Sequence, residues 1–179
     1  MGNTFVIILI VVIILGILGI VYKINYNKLM TTKIKVDEAE NIINDTIKKR
    51  YDGVIRTAHL VKKNLNLDIE LFNEVEKLKV QNVSNNDLDN KINDAYKTIL
   101  QLKEDYPNLI ENRGFQDILE EFKENTELIE ATKSFYDNYA KSLNDMLKTF
   151  PCNLIGKIHH IKKVEFYNTI LTKEEVVID

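Results

Sequence analysis

His59, His159, His160 and Cys152 are the side chains best suited to hold a metal or act as a nucleophile, and their spacing supports neither role. A di-iron bundle uses paired Glu-x-x-His motifs on facing helices, so that carboxylate and imidazole share one metal. Here Arg56 stands three residues before His59, and Gly156 three before His159. Adjacent His159 and His160 point to different sides of a helix and make a poor ligand pair. Cys152 follows Pro151, and a lone thiol without a placed base reads as a packing residue. No glycine-rich phosphate loop occurs. The expectation is therefore no catalytic residue, no cofactor-binding residue and no metal ligand, in a protein that is not an enzyme.

Two charged stretches remain. Lys48-Lys49-Arg50 reads as a solvated helix face, because three consecutive positions spread around a helix instead of forming one patch. Lys157-Ile-His-His-Ile-Lys162-Lys163 alternates basic and apolar character. It suits an anionic membrane surface or a partner, and it equally suits packing across the end of a bundle. The apolar tail Val176-Val177-Ile178 could add a strand to a partner or dock on one.

The elements that carry these residues begin with an unbroken apolar run from Phe5 to Val21, with no charge before Lys23. As a helix it spans about 26 Å, close to the thickness of a bilayer's hydrocarbon core. Core helices of globular domains carry a polar face, and this run has none. A cleaved signal peptide would need a basic start, a shorter core and an A-x-A-like site, whereas this run ends in Val-Tyr-Lys. Residues 4–22 therefore read as an inserted, retained anchor. Lys23, Lys28, Lys33 and Lys35 follow it, while the N-terminal side has none. The positive-inside bias places the short N-terminus outside and the bulk of the chain in the cytoplasm, at the plasma membrane. A single cysteine permits no intramolecular disulfide, consistent with a reducing compartment.

Only two prolines and six glycines occur in the 179 residues, which argues for an all-α domain. The net charge of −3 gives no reason to expect a nucleic-acid partner. Val36, Ala39, Ile43, Ile47, Tyr51, Val54, Ala58, Val61 and Leu65 recur every three or four residues, predicting that the membrane helix continues to about Asn64. After a break over 64–68, with Asp68 a candidate N-cap, a short helix carries Ile69, Phe72, Val75 and Leu78. Residues 82–86 read as a loop, with Ser84 as a cap paired with Asp87. A third helix carries Leu88, Ile92, Ala95, Ile99 and Leu102 and stops before Tyr106-Pro107. The stripe from Phe115 to Phe150 predicts a last helix that Pro151 ends, with Thr126 and Lys133 as soft polar interruptions. Short loops between these helices imply an antiparallel bundle of four-helix type. The organisation is then anchor 1–22, helical bundle 23–155 and C-terminal extension 156–179.

The stretch Tyr26-Asn27-Lys28-Leu29, Val36-Asp37-Glu38-Ala39, Ile43 and Ile47 to Asp52 resembles the N-terminal signature of LemA family proteins. Tyr106-Pro107-Asn108-Leu109, Asn112, Phe115, Leu119-Glu120-Glu121, Tyr136 and Phe150-Pro151-x-Asn153-Leu154-Ile155 resemble the rest of that pattern in order. The resemblance implies a single-pass bacterial membrane protein with an external N-terminus, a cytoplasmic helical bundle and no presumed enzymatic activity. The chain departs from it at Glu40, where the family has Trp, and at Ile55-Arg56, where it has Pro-Asn. Loss of that proline predicts a straighter first helix, which Gly53 could still soften.

The leading functional expectation is a membrane-anchored scaffold or adaptor that binds other proteins at the cytoplasmic face. The first alternative is a membrane-organising protein that self-associates as a homo-oligomer. A ligand sensor or enzyme with an unrecognised polar pocket around Arg50, Lys133 or a histidine is the third.

Overall fold

The structure, a computed structural model, describes residues 2–80 and 85–167. These form α1 (Gly2–Leu65), α2 (Glu70–Val80), α3 (Asn85–Asp105), a 3-10 turn at Pro107–Leu109, α4 (Arg113–Met146) and α5 (Cys152–Ile158). No strand occurs among them, so the chain is all-α there. The tail at Val176 to Ile178, the Ser84 cap and residues 82–84 of the expected loop lie outside the described residues. Asn85 and Asn86, assigned to that loop from sequence, instead open α3.

α1 runs for 64 residues, roughly 96 Å at the helical rise. It changes character along its length. Phe5 to Tyr22 are exposed all round, and this part is long and apolar enough to cross a membrane. From Leu29 onward one stripe is buried, through Val36, Ala39, Ile43, Ile47, Val54 and Val61. The helix passes residues 53–56 without interruption. At Gly53 an added Cβ would stand 2.9 Å from the Phe122 ring. It is a close-approach glycine that admits an aromatic side chain.

Internal contacts divide the chain into two units, Ala39–Ser134 and a second made of Met1–Glu38 with Phe135–Asp179. In the first, Ile43, Ile47 and Val54 of α1, Phe72 and Val75 of α2, Ile92 and Ile99 of α3, and Phe115, Phe122 and Ile129 of α4 are buried. Asn66 ends α1 with φ 55° and an N–H to the Lys62 carbonyl at 3.1 Å, the left-handed termination that asparagine tolerates. Asp68 does not open α2, which starts at Glu70; its Oδ1 accepts from the Asn73 side chain at 2.8 Å. Before α4, Pro107 starts the 3-10 turn and buries Leu109. Asn112 Oδ1 then accepts the Phe115 N–H at 3.3 Å, an N-cap bond to the third residue of α4.

In the second unit, Leu29 and Val36 of α1, Tyr136, Ala140 and Leu143 of α4, and Cys152 and Ile155 of α5 are buried. The apolar stripe overstates α4, which ends at Met146 rather than Phe150. Residues 147–149 tighten into bonds such as Lys148 N–H to Asp145 O, and Pro151 disfavours the helical region for the residue before it. Phe150 consequently leaves the core. The chain then enters α5, which straddles residue 155. Beyond α5 an extended segment is held along α4. Asn144 both donates to Val164 O (2.7 Å) and accepts its N–H (3.0 Å), while Asp137 accepts the Tyr167 N–H at 2.7 Å.

Candidate functional site

The strongest concentration of buried polar chemistry lies in the unit of residues 39–134. Arg50 falls on the apolar stripe of α1, seven residues after Ile43 and four before Val54, and is only 2% exposed. Asp89, next to the buried Leu88 on α3, is 3% exposed. Arg50 Nη1 donates to Asp89 Oδ1, and Nη2 donates to Asn93 Oδ1 at 2.5 Å, one helical turn further along α3. Lys133 of α4 brings its Nζ to 3.4 Å from the other Asp89 oxygen. The guanidinium also lies 5.5 Å from the centre of the Phe122 ring, which stacks on Tyr96 at 4.7 Å with planes 2° apart.

This geometry joins three helices through one carboxylate set between two cations. Burial lowers the pKa of Arg50, and the Asp89 charge works against that shift. Among the described residues Nε of Arg50 has no hydrogen-bond partner, so the guanidinium is incompletely satisfied. A buried pair of this kind specifies register more readily than it adds stability, because desolvation offsets much of the attraction. Asp89 already accepts from both cations, which equips the cluster to fix helix positions.

The sequence readings divide accordingly. Lys48 and Lys49 are exposed, Lys48 pairing with Asp45 at 3.1 Å, but Arg50 is not part of a solvated face. Lys133 is no soft interruption of α4; it serves Asp89. Thr126 stays on its own helix, donating to the Phe122 carbonyl at 2.8 Å. His59 is exposed and lines a cleft of about 120 Å³ with Ile55, Asp68 and Phe72. Arg56, standing where the resemblance led one to expect Asn, makes a forked contact with Glu121, and Glu40 is exposed. Asp89 and Asn93 were not singled out from sequence. The available signal was Arg50 itself, a cation in register with aliphatic residues and therefore in need of a buried acceptor.

The other named residues lie in the unit containing residues 1–38. Cys152 is buried with Sγ 3.5 Å from Asn25 Oδ1, in keeping with packing. His159 Nε2 lies 2.7 Å from the Tyr22 hydroxyl, and His160 takes a positive φ of 53° just past α5. Among the described residues no group of three or more His, Cys, Asp or Glu is placed to hold a metal ion.

The family model described as the LemA family matches residues 39–179. The match begins inside α1, so the apolar run and the Tyr26 to Glu38 part of the resemblance stand outside it. No curated protein matches the chain. Spanning more than half of the sequence, the family match is decisive: the chain belongs to the LemA family.

Proposed function

We propose that this LemA family chain is a membrane-anchored, non-catalytic scaffold or adaptor whose helical domain binds other proteins at the cytoplasmic face. The observation that carries the reading is the continuity of α1, a single helix from an apolar, fully exposed segment of membrane length into the folded core. A domain that begins on the same helix as the apolar segment is tethered to the bilayer by it. In this proposal residues 4–22 cross the plasma membrane with the N-terminus outside, as Lys23, Lys28, Lys33 and Lys35 favour. The helices of residues 39–134 pack antiparallel, as their short connections favour. Arg50, Asp89 and Lys133 act as structural residues within that core.

In-cell crosslinking followed by affinity capture tests the adaptor role. Recovery of a reproducible partner crosslinked to residues within 39–134 is expected. Recovery of the chain crosslinked only to itself would replace this reading with the membrane-organising one. Orientation is tested in a Cys152→Ser background, because the buried native thiol reports packing rather than sidedness. Asn3→Cys should react with an impermeant reagent on intact cells and the exposed Lys62→Cys should not; the reverse pattern overturns the orientation.

A further inference from the structure

α5 is tied to α1 at the level where the apolar run ends. Near its start, Cys152 contacts Asn25; just past its end, His159 meets Tyr22 and stacks against Tyr26 with ring centres 4.5 Å apart. Tyr22, Asn25 and Tyr26 occupy about 6 Å of the α1 axis, whereas α5 is about 10 Å long. Both ends of α5 thus sit at one depth, so it lies across α1 instead of running beside it.

The geometry is braced locally. Past α5, His160 N–H donates to Lys157 O at 3.3 Å and Ile161 N–H to Gly156 O at 2.9 Å, closing a left-handed termination around His160. Gly156 faces Leu147, whose side chain leaves no room for an added Cβ.

The two faces of this short element differ. Cys152, Ile155 and Gly156 are buried against the protein. Phe150, Leu154 and Ile158, spaced by four, are 78%, 50% and 64% exposed. Lys148, Lys157, Lys162 and Lys163 around them are exposed too. Residues 146–164 hold four lysines and no carboxylate; Lys148 pairs with Asp145 just before them, and no carboxylate lies between it and Glu165.

We infer that residues 147–163 form an interfacial element that docks on an anionic bilayer surface. Phe150, Leu154 and Ile158 enter the boundary between headgroups and acyl chains, and Lys157, Lys162 and Lys163 engage anionic headgroups. Three features favour lipid over a protein occupant: the tie to Tyr22, where the apolar segment of α1 ends, the single depth of α5, and the one-signed charge. The inference rests on the proposal that residues 4–22 span the membrane.

The chain contains no tryptophan, so single substitutions report depth. Full-length Phe150→Trp and Val12→Trp are reconstituted into phosphatidylcholine vesicles with and without phosphatidylserine, and quenched by lipids brominated along the acyl chain. With phosphatidylserine present, Phe150→Trp should lose roughly half its emission to shallow bromines. Omitting phosphatidylserine, or changing Lys157, Lys162 and Lys163 to Gln, should weaken that quenching; no change in either would overturn the headgroup contact. An unquenched Phe150→Trp beside a quenched Val12→Trp overturns the docking alone, including when its emission is blue-shifted by a protein occupant. An unquenched Val12→Trp instead brings down the anchor reading beneath it. Unchanged far-ultraviolet circular dichroism confirms that each variant is folded.

Discussion

Arg50 gives up hydration at a position that aliphatic neighbours would otherwise fill, and Asp89, Asn93 and the Phe122 ring replace only part of it. Removing one partner from such a pair costs more than removing both, because the survivor keeps its desolvation and loses its compensation. Asp89→Ala should therefore destabilise by about 3–5 kcal/mol, leaving Arg50 beside Lys133, whereas Arg50→Met combined with Asp89→Leu and Lys133→Met should fall within about 1 kcal/mol of the parent. Urea unfolding of the detergent-solubilised chain measures the difference. The exposed pair behaves otherwise. The hydrogen bond from Arg56 lowers the Glu121 carboxyl below its ordinary value. Since the folded value is the lower one, the pair's contribution is full at neutral pH and is lost as acid protonates the carboxylate, below about pH 4. With both side chains about half exposed, it amounts to less than about 1 kcal/mol. Glu121→Gln should thus unfold slightly earlier than the parent at pH 7, and that difference should shrink as the pH is lowered below about 4.

At the scale of elements, the apolar spacing located the helices well because burial acts on side chains at fixed angular intervals. The Tyr-Pro-x-Leu and Asn-x-x-Phe patterns have equally local causes: Pro107 starts a turn that buries Leu109, and Asn112 caps the helix that buries Phe115. Spacing failed where a competing local rule took over. Phe150 is in phase with α4 yet precedes a proline, and the chain turned into α5, which no stripe announced. Gly53 was legible as a glycine but not as a packing feature, since its partner Phe122 lies 69 positions away. Gly53→Ala gains up to about 1 kcal/mol of helix propensity but forces the ring stacked on Tyr96 to move, at a cost of about 1–3 kcal/mol. The net result should be a lower melting temperature, measured by circular dichroism.

For the whole molecule, continuity of α1 makes anchor and core parts of one element while leaving residues 3–21 exposed. Their deletion should move the chain from the membrane to the soluble fraction and reduce helical content by no more than the deleted residues, as fractionation and circular dichroism would show. A chain that then aggregates unfolded would contradict this separability. The apolar run, the helical class, the stripe of α1 and the lysine bias were determined by sequence, because each follows from neighbours within a few turns. The union of Arg50 with Asp89 and Lys133, the fit of Phe122 against Gly53, and the seating of α5 at Tyr22 and Asn25 were decided only by tertiary structure. Each depends on which side chains distant segments bring together, and one segment's own periodicity carries no record of that.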